Sequence, residues 1–326
     1  TSAVTGAGID QLKQALQSAA AEAAPAAEAR LSIPFRMPID RSFTVAGHGT
    51  VVTGSVSTGE LNVGDRLVVE PGGIEVRVRA LRNHDRDVER VSRGQRAAVN
   101  LAGIHHDQLR RGHELAAPGH LQPSRLITGR VRLLPTAVRP LKPRERVRFH
   151  AGPAEVLASI VPLGVDLISP GETAMAQIYL REPVVTTWNQ PFVLRRESPV
   201  TTIGGGHVLV PAASKLRRPT AGTLDWLERL TSSDSLERAS AAIYFAGHDI
   251  SGPQNLWRTA GVDDANHVFQ QLVAERQMVV LPISGHRQIY LHTDRLDEYA
   301  DRFATVLGQW HDQNPLRSQF DRSAFG

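Results

Sequence analysis

Residues 43–64, FTVAGHGTVVTGSVSTGELNVG, decide how the rest of this 326-residue chain is read. Thr50 to Val56 alternates in character and is rich in β-branched residues, as a half-buried strand requires. Glycines at 47, 49, 54, 59 and 64 mark turns and close backbone approaches around that strand. The pattern predicts hairpins of an antiparallel β-barrel, although periodicity by itself fits any glycine-punctuated sheet.

Working outward, 66–70, 76–81 and 95–101 read as further short strands. They are separated by Pro71-Gly72-Gly73, by the polar run 83–90 and by Arg93-Gly94, which places a first barrel at 31–120. In the 95–101 strand Ala97, Val99 and Leu101 share one face, so Arg96 falls on the other. Strict alternation puts Arg41 in phase with Ile39, Phe43 and Val45 on a face that ought to be buried, and a bulge is needed to turn it outward. Adjacent His105 and His106 on a strand would face opposite ways with no partner ligands at useful spacing, so they read as surface histidines.

A second β-domain is expected at 121–211, with strands at 126–134, 146–150, 155–161, 173–180 and 191–195. Gly204-Gly205-Gly206 lies between strand-like segments with no helix opening behind it, so it reads as a turn and not as a nucleotide-binding loop. Ahead of the barrels, Ile9, Leu12, Leu16 and Ala19 keep helical spacing up to Pro25, where the helix should end.

Composition shifts at 212–219, and helical patterns follow. Leu224, Leu227 and Leu230 share one face; Ala265, Val268, Phe269, Leu272 and Val273 share another, with Asp263 as its N-cap. The runs 278–282 and 288–291 flank Ser284-Gly285-His286 as a small hairpin. Helices followed by such a hairpin predict a winged helix at 220–295, a fold that commonly binds nucleic acid. Its presumed recognition helix carries one basic residue, Arg276, which favours a spacer role. A last helix carries Leu296, Tyr299, Phe303, Leu307 and Trp310 on one face, and 296–326 reads as that helix plus the opening of a second such module.

The chain is mainly β and multidomain, and long enough for two or three domains. It has no cysteine, which excludes disulfides and cysteine-ligated metals, and no apolar run near the roughly 18 residues of a membrane helix. Net charge is +4, and lysine occurs at 13, 142 and 215 alone, so nearly all the positive charge is arginine, whose planar fork suits phosphate. A biased genome composition produces the same preference. There is no GxxxxGK[ST] phosphate loop and no N-K-x-D, so the chain is not expected to bind or hydrolyse GTP; no catalytic residue and no metal site is expected in it.

The order of residues narrows this further. AGHGTVVTGSVSTGELNVGD resembles domain 2 of translational GTPases of the EF-Tu type. IPFRMPIDRSFTVAGHGTVVTG followed by VRVRALRNHDRDVERVSRGQRAAVNLAGI is similar to the selenocysteine-specific elongation factors, the SelB family. VRFHAGPAEVLASIVPL and PFVLRRESPVTTIGGGHVL resemble that family's third domain, which supports the tRNA arm, and SAVTGAGIDQL resembles the end of a Ras-like GTPase domain. The resemblance implies two antiparallel β-barrels, like domains 2 and 3 of EF-Tu, followed by an α+β winged helix. Residues 1–30 would be the closing helix and linker of a GTPase domain, with Ser2 and Ala3 the remnant of its guanine loop.

In that family two arginines line the pocket for the aminoacyl group on the tRNA end; the matching positions are Arg41 and Arg96, with Asp40 and His48 as further pocket or tRNA-end contacts. A selenol is more acidic than a thiol, whose reference pKa is about 8.5, so at neutral pH the esterified selenocysteine is largely an anion while serine is neutral. Two guanidinium groups would select by charge. By residue type alone each arginine reads as half of a surface ion pair worth about 0–1 kcal/mol.

The implied function is GTP-dependent delivery of selenocysteinyl-tRNA to the ribosome at recoded UGA codons. GTP and Mg would be held by the full-length protein, a GTPase, and the selenocysteine-insertion mRNA hairpin by further C-terminal modules. The family further implies a cytoplasmic monomer with no membrane contact. The alternatives are another aminoacyl- or initiator-tRNA factor with the same barrel, and a β-rich regulator whose winged helix binds DNA.

Overall fold

Alternating short segments on either side of Gly54 build the first barrel. Its strands are β1 (Arg36–Val45), β2 (Gly49–Ser55), β3 (Glu60–Asn62), β4 (Arg66–Glu70), β5 (Ile74–Asn83), β6 (Arg86–Val88), β7 (Arg90–Ser92), β8 (Arg96–Ala102) and β9 (Glu114–Ala116). The computed structural model describes residues 1–29, 33–45, 49–247, 252–284, 287–317 and 319. Six strands close a ring in the order β4-β9-β1-β2-β8-β5 through the β4–β5 pairing, β6 extends β5, and β3 pairs with β7. Met37, Ile39, Val52, Leu81, Val99 and Leu115 fill the interior at 0–1% exposure, each side chain contributing about 1.5–3 kcal/mol by burial.

The polar run 83–90 is not a plain connection. His84 and Asp85 sit at φ 48° and 60° and turn β5 into β6, whose Arg86 pairs with Asn83. Two consecutive left-handed residues make the tight turn whose twist matches a hairpin, a role that small polar residues such as Asp tolerate.

The second barrel runs through β10 (Pro123–Leu133), β11 (Glu145–Ala151), β12 (Ala154–Pro162), β13 (Thr173–Val185), β14 (Pro191–Arg195) and β15 (Thr202–Val210), closed in the order β10-β13-β12-β11-β14-β15. Phe149 and Phe192 meet at 5.1 Å in its core. Gly204-Gly205-Gly206 is strand and not a turn: it lies inside β15, paired on one side with Leu133, Arg132 and Val131 and on the other with Leu194, Val193 and Phe192. A Cβ on Gly206 would stand 1.8 Å from the carbonyl oxygen of Arg130, and one on Gly205 2.4 Å from that of Phe192. Close backbone approach, and not chain reversal, is what those glycines permit.

Both barrels belong to one compact unit, Thr1–Lys215. Arg36 on β1 lies at their junction, buried with Glu114 of β9; its Nε and Nη2 donate to the carboxylate at 2.5 and 2.6 Å. Its Nη1 and Nη2 also donate across to Thr187 and Gln190 of the second barrel, each at 2.9 Å. Ala116, Leu121 and Val185 pack as an apolar cluster between the two barrels. Ahead of them α1 (Ile9–Ala29) continues past Pro25 instead of ending there. Proline removes one backbone donor, and the alanine-rich flanks are strong helix formers.

The other unit, Leu216–Gly326, holds α2 (Ala221–Arg229), α3 (Ser235–Ala246), α4 (Leu256–Ala260), α5 (Ala265–Ala274), the hairpin β16 (Met278–Ser284) with β17 (Arg287–His292), and α6 (Thr293–Gln313). Leu227 and Leu230 are buried, as are Val268, Phe269 and Leu272. The N-cap of α5 is Asp264 and not Asp263: its carboxylate accepts the N–H of His267 at 3.1 Å. Arg276 stands beyond the C-cap of α5 at φ 58°, off the helix. Helix α3 was not foreseen in the sequence, because Ala239, Ser240, Ala241, Ala242, Ile243 and Tyr244 are all buried and leave no polar face to give a period. Gly285 and His286 lie outside the described residues. Among the described residues no helix is long and apolar enough to cross a membrane.

Candidate functional site

In β1 the sequence forces a break in alternation. Met37 and Ile39 point inward and Ile39 pairs with Gly54; Arg41 pairs with Thr53, so Asp40 is one residue too many and forms a bulge. Gly54 is fixed by the same crossing, since a Cβ there would lie 2.1 Å from the carbonyl oxygen of Pro38. Beyond the bulge the phase reverses, and Arg41 turns outward instead of following Ile39 into the core. Phe43 and Val45, expected on a buried face, are carried outward too, at 42% and 36% exposure.

Arg96 opens β8 opposite Ser55, with Ala97, Val99 and Leu101 facing the core. Its guanidinium reaches back across β2 to Asp40, Nη1 donating to Oδ2 at 2.6 Å and Nη2 to Oδ1 at 3.1 Å. The Thr53 hydroxyl donates to the same Oδ1 at 2.8 Å. Partial burial disfavours the Asp40 carboxylate, but the bonds from Arg96 and Thr53 and the charges of Arg96 and Arg41 outweigh it and hold its pKa below the ordinary carboxylate value. The bond that Arg96 donates to Asp40 correspondingly raises the pKa of Arg96. Asp40, Arg41 and Arg96 therefore share one outer patch, two cations around one anion. Arg96 takes part in a surface ion pair there.

The other anticipated residues fall elsewhere. His48 lies outside the described residues. Ser2 shapes the turn ahead of α1, its hydroxyl accepting the Thr5 N–H at 3.2 Å, and Ala3 lies in that turn. His105 and His106 are exposed, as read, but His106 opens a 3-10 turn and is not on a strand; their rings are 5.4 Å apart. No cluster of three or more metal-ligating side chains occurs among the described residues.

A second site was not read from the sequence. Where the barrels meet, a cleft of about 640 Å³ is lined by the charged side chains of Arg111, Arg148, Glu155, Arg181, Glu182 and Arg195 together with His150. Arg148 donates to Glu155 at 2.5 Å, yet the Nε of Arg148, the Nε of Arg195 and the Nε2 of His150 are buried without hydrogen-bond partners. Burial lowers the pKa of His150 against the pull of Glu155, and Arg195, Arg148 and Arg111 lower it further. Such a cleft is chemically suited to a phosphate or another anion. Its arginines come from three strands and a loop, between positions 111 and 195, and no local motif joins them.

Two closed six-stranded antiparallel barrels in tandem, with charged groups on their outer faces, are the architecture of translational elongation factors, and residues 49–116 match the family model of elongation factor Tu domain 2. Residues 127–215 match the model of the selenocysteine-specific elongation factor β-barrel domain. On both matches the chain is similar to the selenocysteine-specific elongation factors. It is 32% identical over 99% of its length to the selenocysteine-specific elongation factor of Desulfomicrobium baculatum, of which it covers 50%. It is 26% identical over 96% of its length to that of Haemophilus influenzae, covering 48%. Elongation factor Tu 2 of Streptomyces avermitilis matches 56% of the chain at 33% identity, with 48% of that protein covered. The apo structure of translation elongation factor SelB from Methanococcus maripaludis superposes with a TM-score of 0.52 at 25% identity, over 62% of this chain and 47% of the other. The chain spans about half the length of these curated relatives.

Proposed function

We propose that this chain is the tRNA-handling part of a factor that delivers selenocysteinyl-tRNA to the ribosome at recoded UGA codons. The observation that carries this reading is the patch on the first barrel, where Arg41 and Arg96 stand around Asp40 on a bulged strand. The selenolate of an esterified selenocysteine is an anion at neutral pH; seryl and alanyl groups are not. A guanidinium pair favours the anion by charge-assisted contact and gains nothing from a hydroxyl of the same size. The arginine cleft at the barrel junction supports the reading, since it offers phosphate-binding groups to the tRNA backbone on the same compact unit.

On this reading residues 1–30 close a GTPase domain, 31–120 and 121–211 are the two tRNA-facing barrels, 220–295 is a winged helix and 296–326 leads into a second one. GTP and Mg belong to the full-length protein, where the GTPase activity resides. Further C-terminal modules hold the mRNA hairpin, and the factor works as a cytoplasmic monomer.

The test is Arg96→Ala. Selenocysteinyl-tRNA binding should weaken about tenfold or more, the equivalent of a lost charge-assisted contact, while seryl-tRNA binding changes little. Equal loss for the two tRNAs would sink selection by charge.

A further inference from the structure

We infer that Asp40 is a built-in stand-in for the ligand's anion: it holds Arg96 while the pocket is empty, gives it up when a selenolate enters, and takes it back when the aminoacyl group leaves. This rests on the proposed reading of the Arg41–Arg96 patch and adds to it the step that governs release.

The geometry carries it. The two N–H groups of Arg96 that could grip an incoming anion are already on a carboxylate, at 2.6 and 3.1 Å. That carboxylate is not a chance surface neighbour. Asp40 is the extra residue of the bulge, so the register of β1 against β2 fixes its position, and the Thr53 hydroxyl steadies it at 2.8 Å. The pair is also shallow: the Arg96 side chain is 52% exposed and that of Asp40 30%. An ion pair so open to water is weak enough to be exchanged.

Exchange also accounts for selectivity and release together. A neutral seryl group does not replace the carboxylate, because a hydroxyl brings the guanidinium no charge to offset the contact with Asp40 that it would lose. A selenolate can, since it supplies the same charge to the same N–H groups, with Arg41 beside it to offset the approach of a second anion. When the aminoacyl group departs, Asp40 is one side-chain rotation away, and the guanidinium does not have to be left bare.

The experiment is Asp40→Asn in the full-length protein, with equilibrium and dissociation kinetics measured for tRNA charged with selenocysteine and with serine. The expected result is about two- to fivefold tighter selenocysteinyl-tRNA binding, mostly through slower dissociation, with seryl-tRNA binding unchanged. Thr53→Val, which removes one support of the carboxylate, should act in the same direction more weakly and stands in if Asp40→Asn does not fold. Weaker selenocysteinyl-tRNA binding would overturn the inference by showing that Asp40 positions Arg96 for the ligand. An equal gain for both tRNAs would overturn it in favour of a general charge effect on the RNA, and no change would do so by removing competition altogether. A wild-type protein indifferent to the amino acid would instead overturn the proposed function itself, and this role with it.

Discussion

At Asp40 a single inserted residue changes what two arginines can do. Without the bulge Arg41 would point into the first barrel; with it, Arg41 and Arg96 face the same water. The need for a bulge was legible in the sequence, because Arg41 shares its phase with Ile39. The ion pair was not, since Arg96 lies 56 residues from Asp40 and no local pattern links them. Gly54 is the residue on which this depends most. Gly54→Ala would drive a Cβ to 2.1 Å from the Pro38 carbonyl oxygen, so either β1 or β2 must move. A loss of about 1–3 kcal/mol is expected, checked by the denaturant midpoint, together with a loss of the Asp40–Arg96 contact.

Single helices and strands show why some elements were read correctly and others were not. Strands with one wet face, such as β4 and β5, announced themselves by alternation. Helix α3 is buried nearly all round and the glycines of β15 imitate a turn, so both were missed, because what shaped them was packing against distant neighbours. The start of α6 rests on His292, whose Nδ1 accepts the N–H of Asp294 at 3.1 Å and whose Nε2 meets Ser240 at 3.0 Å. The Nδ1 contact requires an unprotonated nitrogen there, so the ring is neutral. Burial lowers its pKa from 6.5, with Arg229 lowering it further and Asp294 and Glu298 opposing. The unfolded chain therefore binds the proton more readily. Stability from this group is complete above about pH 6.5 and is lost as pH falls from there through the folded-state value. His292→Asn should flatten the acid side of the stability profile of the Leu216–Gly326 unit, measured by chemical denaturation at a series of pH values.

Across the whole chain, the family match and the barrel order were readable from a few dozen residues, but the way the barrels are joined was not. Arg36 finds Glu114, Thr187 and Gln190 at separations of 78, 151 and 154 residues, beyond any sequence motif. The same holds for the arginine cleft at that junction. Arg36→Met would leave Glu114 buried without its partner and should cost about 3–5 kcal/mol in unfolding free energy. Arg36→Met combined with Glu114→Leu should cost less than Arg36→Met alone, because the stranded charge is gone. If the double variant is the less stable of the two, the carboxylate is not the source of the loss.

The central claim is that the first barrel tells selenocysteine from serine by charge. The most direct measurement is binding of the full-length protein to tRNA charged with selenocysteine, with serine and with nothing, at two salt concentrations. The account predicts a clear preference for selenocysteine at both, with overall affinity falling as salt rises because the RNA backbone is held electrostatically. Affinity that ignores the amino acid and follows salt alone would contradict it.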